Sequence, residues 1–128
     1  MTTATGTRSL ALPAAVDVVL VIGFSAIGRS SHEEGMTVMG VLSTAWPFLV
    51  GLAVGWALTY ALYREKFVAA ALVPTGVVAW IGAVVVGMLL RQVSGAGTAA
   101  SFIVVATVTL GIFLLGWRAI TRVVAARR

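Results

Sequence analysis

Asp17 lies seven residues into the apolar stretch Leu10–Ile27. An ionisable side chain in hydrocarbon costs about 2.5–3.5 kcal/mol near the centre of a span and less towards its ends. A carboxylate there implies a partner or a task. Paired with Arg118, or hydrogen-bonded to Ser or Thr neighbours, it would lock helices together. Set in a cavity between helices, it would bind a cation or a proton, as intramembrane acids in transporters do. A second gathering of polar groups is Gly28-Arg29-Ser30-Ser31-His32-Glu33-Glu34-Gly35, joined much later in the chain by Arg91. His32 is the only histidine and titrates near neutrality, which suits a pH-sensitive lid. The bland account is a solvated loop in which Arg29 and Arg91 cap helix ends. A single His beside two carboxylates falls short of the three or four convergent ligands of a dedicated metal site. With no Cys in the chain, thiolate ligands, disulfides and cysteine nucleophiles are excluded. The candidate binding residues are therefore Asp17, Arg29, His32 and Arg91, with no metal and no cofactor. The usual catalytic templates are missing: no phosphate-cradling Gly loop, Ser-His-Asp set or paired carboxylates. An enzyme is not expected.

The elements that must hold these groups follow from composition. Hydrophobic residues make up 60% of the 128 and charged residues 10%, with mean hydropathy +1.07. Soluble domains run near 45–50% and about 25%. Such a chain has too much apolar surface for water and reads as an integral membrane protein. The longest polar interruption, Gly28 to Met36, leaves no room for a separate soluble domain. Four apolar runs, at about 10–27, 38–62, 67–90 and 98–117, meet the length of roughly 20 residues that a membrane helix needs. Backbone groups in lipid must be satisfied within the segment, so these runs are helices, and their unbroken apolarity argues against barrel strands. Asp17 in the first run also argues against a cleaved signal peptide. The expected fold is all-α: a four-helix transmembrane bundle in residues 10–118, between an N-terminal tail (1–9) and a basic tail (119–128).

Orientation follows from basic residues in the flanks. With both termini cytoplasmic, Arg8, Arg64, Lys66, Arg118, Arg122, Arg127 and Arg128 are inside and only Arg29 and Arg91 outside. That bias places both ends in the cytoplasm of a cell's inner membrane, with Tyr60, Tyr63, Phe67 and Trp117 at the inner interface. It also accounts for the net charge of +5 without a nucleic-acid partner. The Arg118-to-Arg128 segment can touch anionic lipid, although its plainer role is a topological anchor. Eight of the nine basic residues are Arg, which with the Ala, Gly and Val content suggests a GC-rich bacterial genome.

The two halves resemble each other. Pro13 precedes Arg29 much as Pro74 precedes Arg91, and Thr44-Ala-Trp-Pro-Phe48-Leu-Val50 parallels Thr98-Ala-Ala-Ser-Phe102-Ile-Val104. Both hairpins start on the same side, so the pattern reads as a parallel repeat of two helical hairpins. Asp17 breaks it, since its counterpart is Val78 or Ala79. Gly51 and Gly55, with Ala83 and Gly87 on the third run, supply the small-residue spacing that lets helix backbones approach. Pro47 should bend or loosen the second helix.

Asp17 with Gly28-Arg29-Ser-Ser-His32, Pro47-Phe48-Leu49 with Gly55-Trp56, Pro74-x-Gly76-x-x-x-Trp80, Gly87-x-x-x-Arg91, Gly97-Thr98-Ala99 with Ser101-Phe102-Ile103, and Gly116-Trp117-Arg118 together carry a family likeness. The pattern resembles the bacterial domain-of-unknown-function family 3054, from about Pro13 to Arg118. The resemblance implies a small multi-pass membrane protein and supplies no catalytic or binding residue. Small multidrug transporters share four helices and an acid in the first, but their patterns around that acid differ. The strong charge bias also counts against them and the small fluoride channels, which tend towards dual insertion. The leading expectation is passage of a small solute or ion, with Asp17 as the intramembrane site and Arg29, His32 and Arg91 at its outer mouth. The competing expectation is a structural or assembly subunit of a larger membrane complex. The partners expected are the lipid bilayer and either a second copy of the chain or other subunits of such a complex.

Overall fold

A computed structural model describes the backbone of residues 2–31 and 37–127 and the side chains of 10–28 and 37–127. His32, and the side chain of Arg29, lie outside the described residues. The chain forms α1 (Thr2–Ser31), α2 (Val38–Tyr63), α3 (Val77–Val93) and α4 (Ala100–Ala126). No strand occurs among the described residues. All four helical segments are long and apolar enough to cross a membrane. The chain is thus an all-α bundle of the kind an integral membrane protein forms.

Contacts between helices give the topology. Asp17 and Phe24 of α1 meet Trp56 and Phe48 of α2, and Gly51 and Gly55 of α2 meet Ala83 and Ala79 of α3. Trp80 and Arg91 of α3 meet Thr107 and Phe102 of α4. Every neighbour is therefore antiparallel, in an up-down-up-down bundle. One end carries residues 28, 37 and 94–99 (the loop end); the other carries residue 10, the α2–α3 connection and the end of α4 (the terminus end). Helices hold because each amide bonds within its own segment, and because Phe, Leu and Ala side chains pack on their neighbours. The core runs through Val21, Phe24, Phe48, Leu52, Ala79, Ala83, Ala106, Leu110 and Leu114. Outward, Leu12, Val19, Val38, Leu62, Val93 and Ile112 stay exposed, as side chains facing lipid do.

The tightest seam is α2 against α3. A Cβ added at Gly51 would lie 2.5 Å from the Gly82 carbonyl oxygen, and one at Gly55 would lie 2.7 Å from that of Val78. Gly87 faces the ring of Phe48 in the same way. The small residues read from spacing, Gly51, Gly55, Ala83 and Gly87, all serve this seam. It also shows why the halves differ where the repeat breaks. Val78 and Ala79, the counterparts of Asp17, sit where α3 touches Gly55.

The start of the third helix and the end of the fourth depart from the sequence reading. The third span does not run straight from residue 67. Val73 precedes Pro74, and the steric clash of proline with the residue before it pushes Val73 to extended angles (φ −125°, ψ 128°). The segment 67–76 is an irregular connection whose Ala69, Thr75 and Gly76 are buried. The Thr75 hydroxyl donates to the Val68 carbonyl and the Gly76 amide to that of Ala71, which pays for burying that backbone. The fourth helix continues through Ala126, so the segment read as a tail is helical. Pro47 lies buried inside α2, within the run expected for that helix.

Candidate functional site

Asp17 is completely buried, and so is Arg118. They form a bidentate pair: Arg118 Nη1 donates to Asp17 Oδ1 and Nη2 to Oδ2, both at 2.8 Å. Two indoles complete the carboxylate. Trp117 Nε1 donates to Oδ1 at 2.8 Å and Trp56 Nε1 to Oδ2 at 2.9 Å. The remaining guanidinium N–H groups go to backbone carbonyls: Nε and Nη2 to Ala69, at 3.3 and 2.8 Å, and Nη1 to Leu114 at 3.0 Å. The guanidinium also stacks on Trp117, its carbon 4.7 Å from the ring. A guanidinium has five N–H groups and a carboxylate has two oxygens. Here every one of them is used, and no buried side-chain polar atom of the described residues lacks a partner.

The pair thereby ties four parts of the chain at one point: α1 through Asp17, α2 through Trp56, the connection through Ala69, and α4 through Trp117 and Arg118. The sequence permits this because Trp117-Arg118 closes an apolar run, so α4 carries the guanidinium into the bundle. Gly76 makes room, since a Cβ there would meet the Arg118 side chain at 2.8 Å. Charge-assisted hydrogen bonds of this kind are about twice as strong as neutral ones. Arg118 is consequently an interior residue and no longer counts among the basic flank.

Of the other candidates, Arg91 belongs to the loop end. Its Nε donates to the Gly97 carbonyl at 3.0 Å and its Nη2 to that of Ala96 at 3.3 Å. Its guanidinium carbon lies 4.3 Å over the ring of Phe102. The turn it braces needs Gly95 and Gly97, whose φ values of 86° and 89° L-residues rarely adopt. Arg91 thus braces the turn between α3 and α4 through its side chain. About 24 Å of helix separates Phe102 from Arg118, so Asp17 and Arg91 do not share a site. His32 and the Arg29 side chain fall outside the described residues. Among the described residues, no cluster of three metal-ligating side chains occurs.

Arg91 lines a cavity of about 600 Å³ at the loop end, between α1 and α4. Phe24, Phe102 and Val105 give it apolar walls; Ser25, Thr44, Ser101 and Thr109 bring hydroxyls. Along α4 it reaches Thr109, and aromatic rings form part of its wall. Phe24 meets Phe48 edge-on at 5.4 Å between ring centres, and Phe102 lies 6.0 Å from Phe48.

Residue spacing missed three members of the network, two donors to Asp17 and one acceptor for Arg118. The indoles of Trp56 and Trp117 had a usable signal, because a buried tryptophan N–H needs an acceptor and apolar spans offer few. Trp80 obeys the same rule, donating to the Thr107 carbonyl. The Ala69 carbonyl carried none, since any backbone carbonyl looks alike in sequence.

The model of the family described as "Protein of unknown function (DUF3054)" matches residues 14–121. The chain belongs to this family. No curated protein and no solved structure matches it. The matched region takes in Asp17, Trp56, Ala69, Trp117 and Arg118, and so the whole buried network.

Proposed function

We propose that this DUF3054 protein passes a small solute or ion across the membrane, with the Asp17–Arg118 network as its closed gate. The observation that carries the reading is the division of the bundle along its length. A cavity of about 600 Å³ opens at the loop end and reaches Thr109 on α4, with Phe24 and Phe102 in its wall, and a polar knot ties four chain segments nearer the terminus end. Intramembrane charged pairs are costly and mark pathways. Opening the knot separates two buried charges, at about 3–5 kcal/mol. A solute that opens it must favour the open state by a factor of about 10³. Such a gate leaks little at rest. We place the termini in the cytoplasm of a cell's inner membrane, since Arg64, Lys66, Arg122 and Arg127 share the terminus end.

The test is flux into liposomes carrying the purified chain, with protons, potassium, chloride and glycerol as probes. The expected result is passage of at least one probe above protein-free vesicles, altered about tenfold or more by Asp17→Asn. Rates equal to empty vesicles for all four, or unchanged in the variant, overturn the reading. A second reading, an assembly subunit, draws support from the saturation of the pair, which leaves Asp17 no donor site for a passing ion. Stoichiometric recovery of a foreign membrane subunit in mild detergent favours it; a stable stand-alone homo-oligomer counts against it.

A further inference from the structure

At 27 residues, α4 is about 40 Å long, against a hydrocarbon core of about 30 Å. Its last turns must therefore reach the headgroup region. There it carries Arg122 and Arg127, both exposed, with Ile120, Val123 and Val124 exposed beside them. The 26-residue α2 reaches the same depth and hands over to the turn Arg64–Lys66, whose two basic side chains are exposed as well. The buried network holds these two segments together. Arg118 bonds twice to the Ala69 carbonyl; Lys66 lies three residues before Ala69, and Arg122 one turn beyond Arg118. Among the described residues, Glu65 is the one exposed acid at this end, and no ion pair joins it to these cations. Aromatic side chains set the depth. Phe67 packs edge-on against Trp56 and Tyr60, at 5.7 and 5.6 Å between ring centres, where rings favour the interface.

From this juxtaposition we infer that Arg64, Lys66, Arg122 and Arg127 form a binding surface for the headgroups of anionic phospholipids. The exposed Ile120, Val123 and Val124 seat α4 among the acyl chains while the guanidinium groups meet phosphate from the same helix. Long basic side chains reach outward from such positions while their stems stay in apolar surroundings. Each engaged charge is worth about a fivefold preference for anionic over zwitterionic lipid, and distance from the surface and salt erode it. The surface stands apart from the loop-end cavity, so it holds whether or not the bundle passes a solute.

The experiment mixes the purified full chain in non-ionic detergent with equal amounts of phosphatidylglycerol and phosphatidylcholine of matched chains. Native mass spectrometry then reads the lipid retained. Phosphatidylglycerol should be preferred about tenfold or more, and the preference should fall towards unity at about 0.5 M salt. The variant R64Q/K66Q/R122Q/R127Q should lose it, and R64K/R122K/R127K, which keeps every charge, should retain it. Equal retention of both lipids by the wild type overturns the inference, as does a preference undiminished in the Gln variant. So does full displacement of phosphatidylglycerol by millimolar inorganic phosphate, which would make this a site for the free anion.

Discussion

Asp17 and Arg118 form one unit, and neither can be changed alone without leaving a charge behind. Asp17→Asn keeps the shape of the side chain but removes the anion from a guanidinium with no access to water. Losing one partner of a buried pair costs about 3–5 kcal/mol, because the other charge stays desolvated. Asp17→Asn and Arg118→Gln should therefore each lower the thermal unfolding midpoint in detergent sharply. The double variant should recover part of the loss, since it buries no net charge. A double-mutant cycle without coupling between the two sites would show that the pair does not hold the bundle. Trp117→Phe is milder: it removes one N–H donor from Oδ1 and leaves Arg118 in place, at about 1.5–3 kcal/mol. The ranking Asp17→Asn worse than Trp117→Phe follows from charge alone.

At the scale of elements, the α2–α3 seam depends on missing side chains. A methyl at Gly51 meets the Gly82 carbonyl at 2.5 Å and the Ala83 Cα at 2.8 Å, both backbone atoms that move only with their helix. Gly51→Ala should destabilise the chain by about 1–3 kcal/mol, the usual range for overpacking. At Gly23, nothing lies within 4 Å of the added methyl, and helix propensity favours Ala there. Gly23→Ala should be neutral or slightly stabilising. Equal unfolding midpoints for the two variants would refute the close approach. This seam was legible in the sequence because Gly51 and Gly55, with Ala83 and Gly87, repeat at one helical turn, and the four spans were legible because lipid demands long apolar runs. The pairing of Asp17 with Arg118 was one of two readings open, since a carboxylate alone does not name its partner. The burial of Arg118 ran against its place at the end of a run, where a basic residue normally marks the membrane surface. What hid it was tertiary: the connection 67–76 folds back over it and supplies a backbone carbonyl. The start of α3 was misplaced for the same reason, because hydropathy cannot distinguish a helix from an apolar connection that Pro74 keeps irregular.

At the scale of the whole molecule, an even number of antiparallel helices puts both ends of the bundle chain on one side. The natural absence of cysteine makes single-Cys variants a direct probe of that side and of the gate. Ser94 is exposed at the loop end, Thr109 lines the cavity, Leu114 is buried beside the knot, and Ala125 is exposed near the end of α4. A membrane-impermeant maleimide added to intact cells should label Ser94→Cys and leave Ala125→Cys unlabelled until the membrane is opened. The reverse pattern would invert the proposed orientation. A small thiosulfonate should then reach Thr109→Cys through the cavity but not Leu114→Cys, which is buried beside the knot. If the network is a gate, adding Asp17→Asn and Arg118→Gln removes the bonds that close it, and Leu114→Cys should become reactive at a rate approaching that of Thr109→Cys. Should Leu114→Cys stay protected although the helices remain folded by circular dichroism, the knot holds the bundle together without gating it.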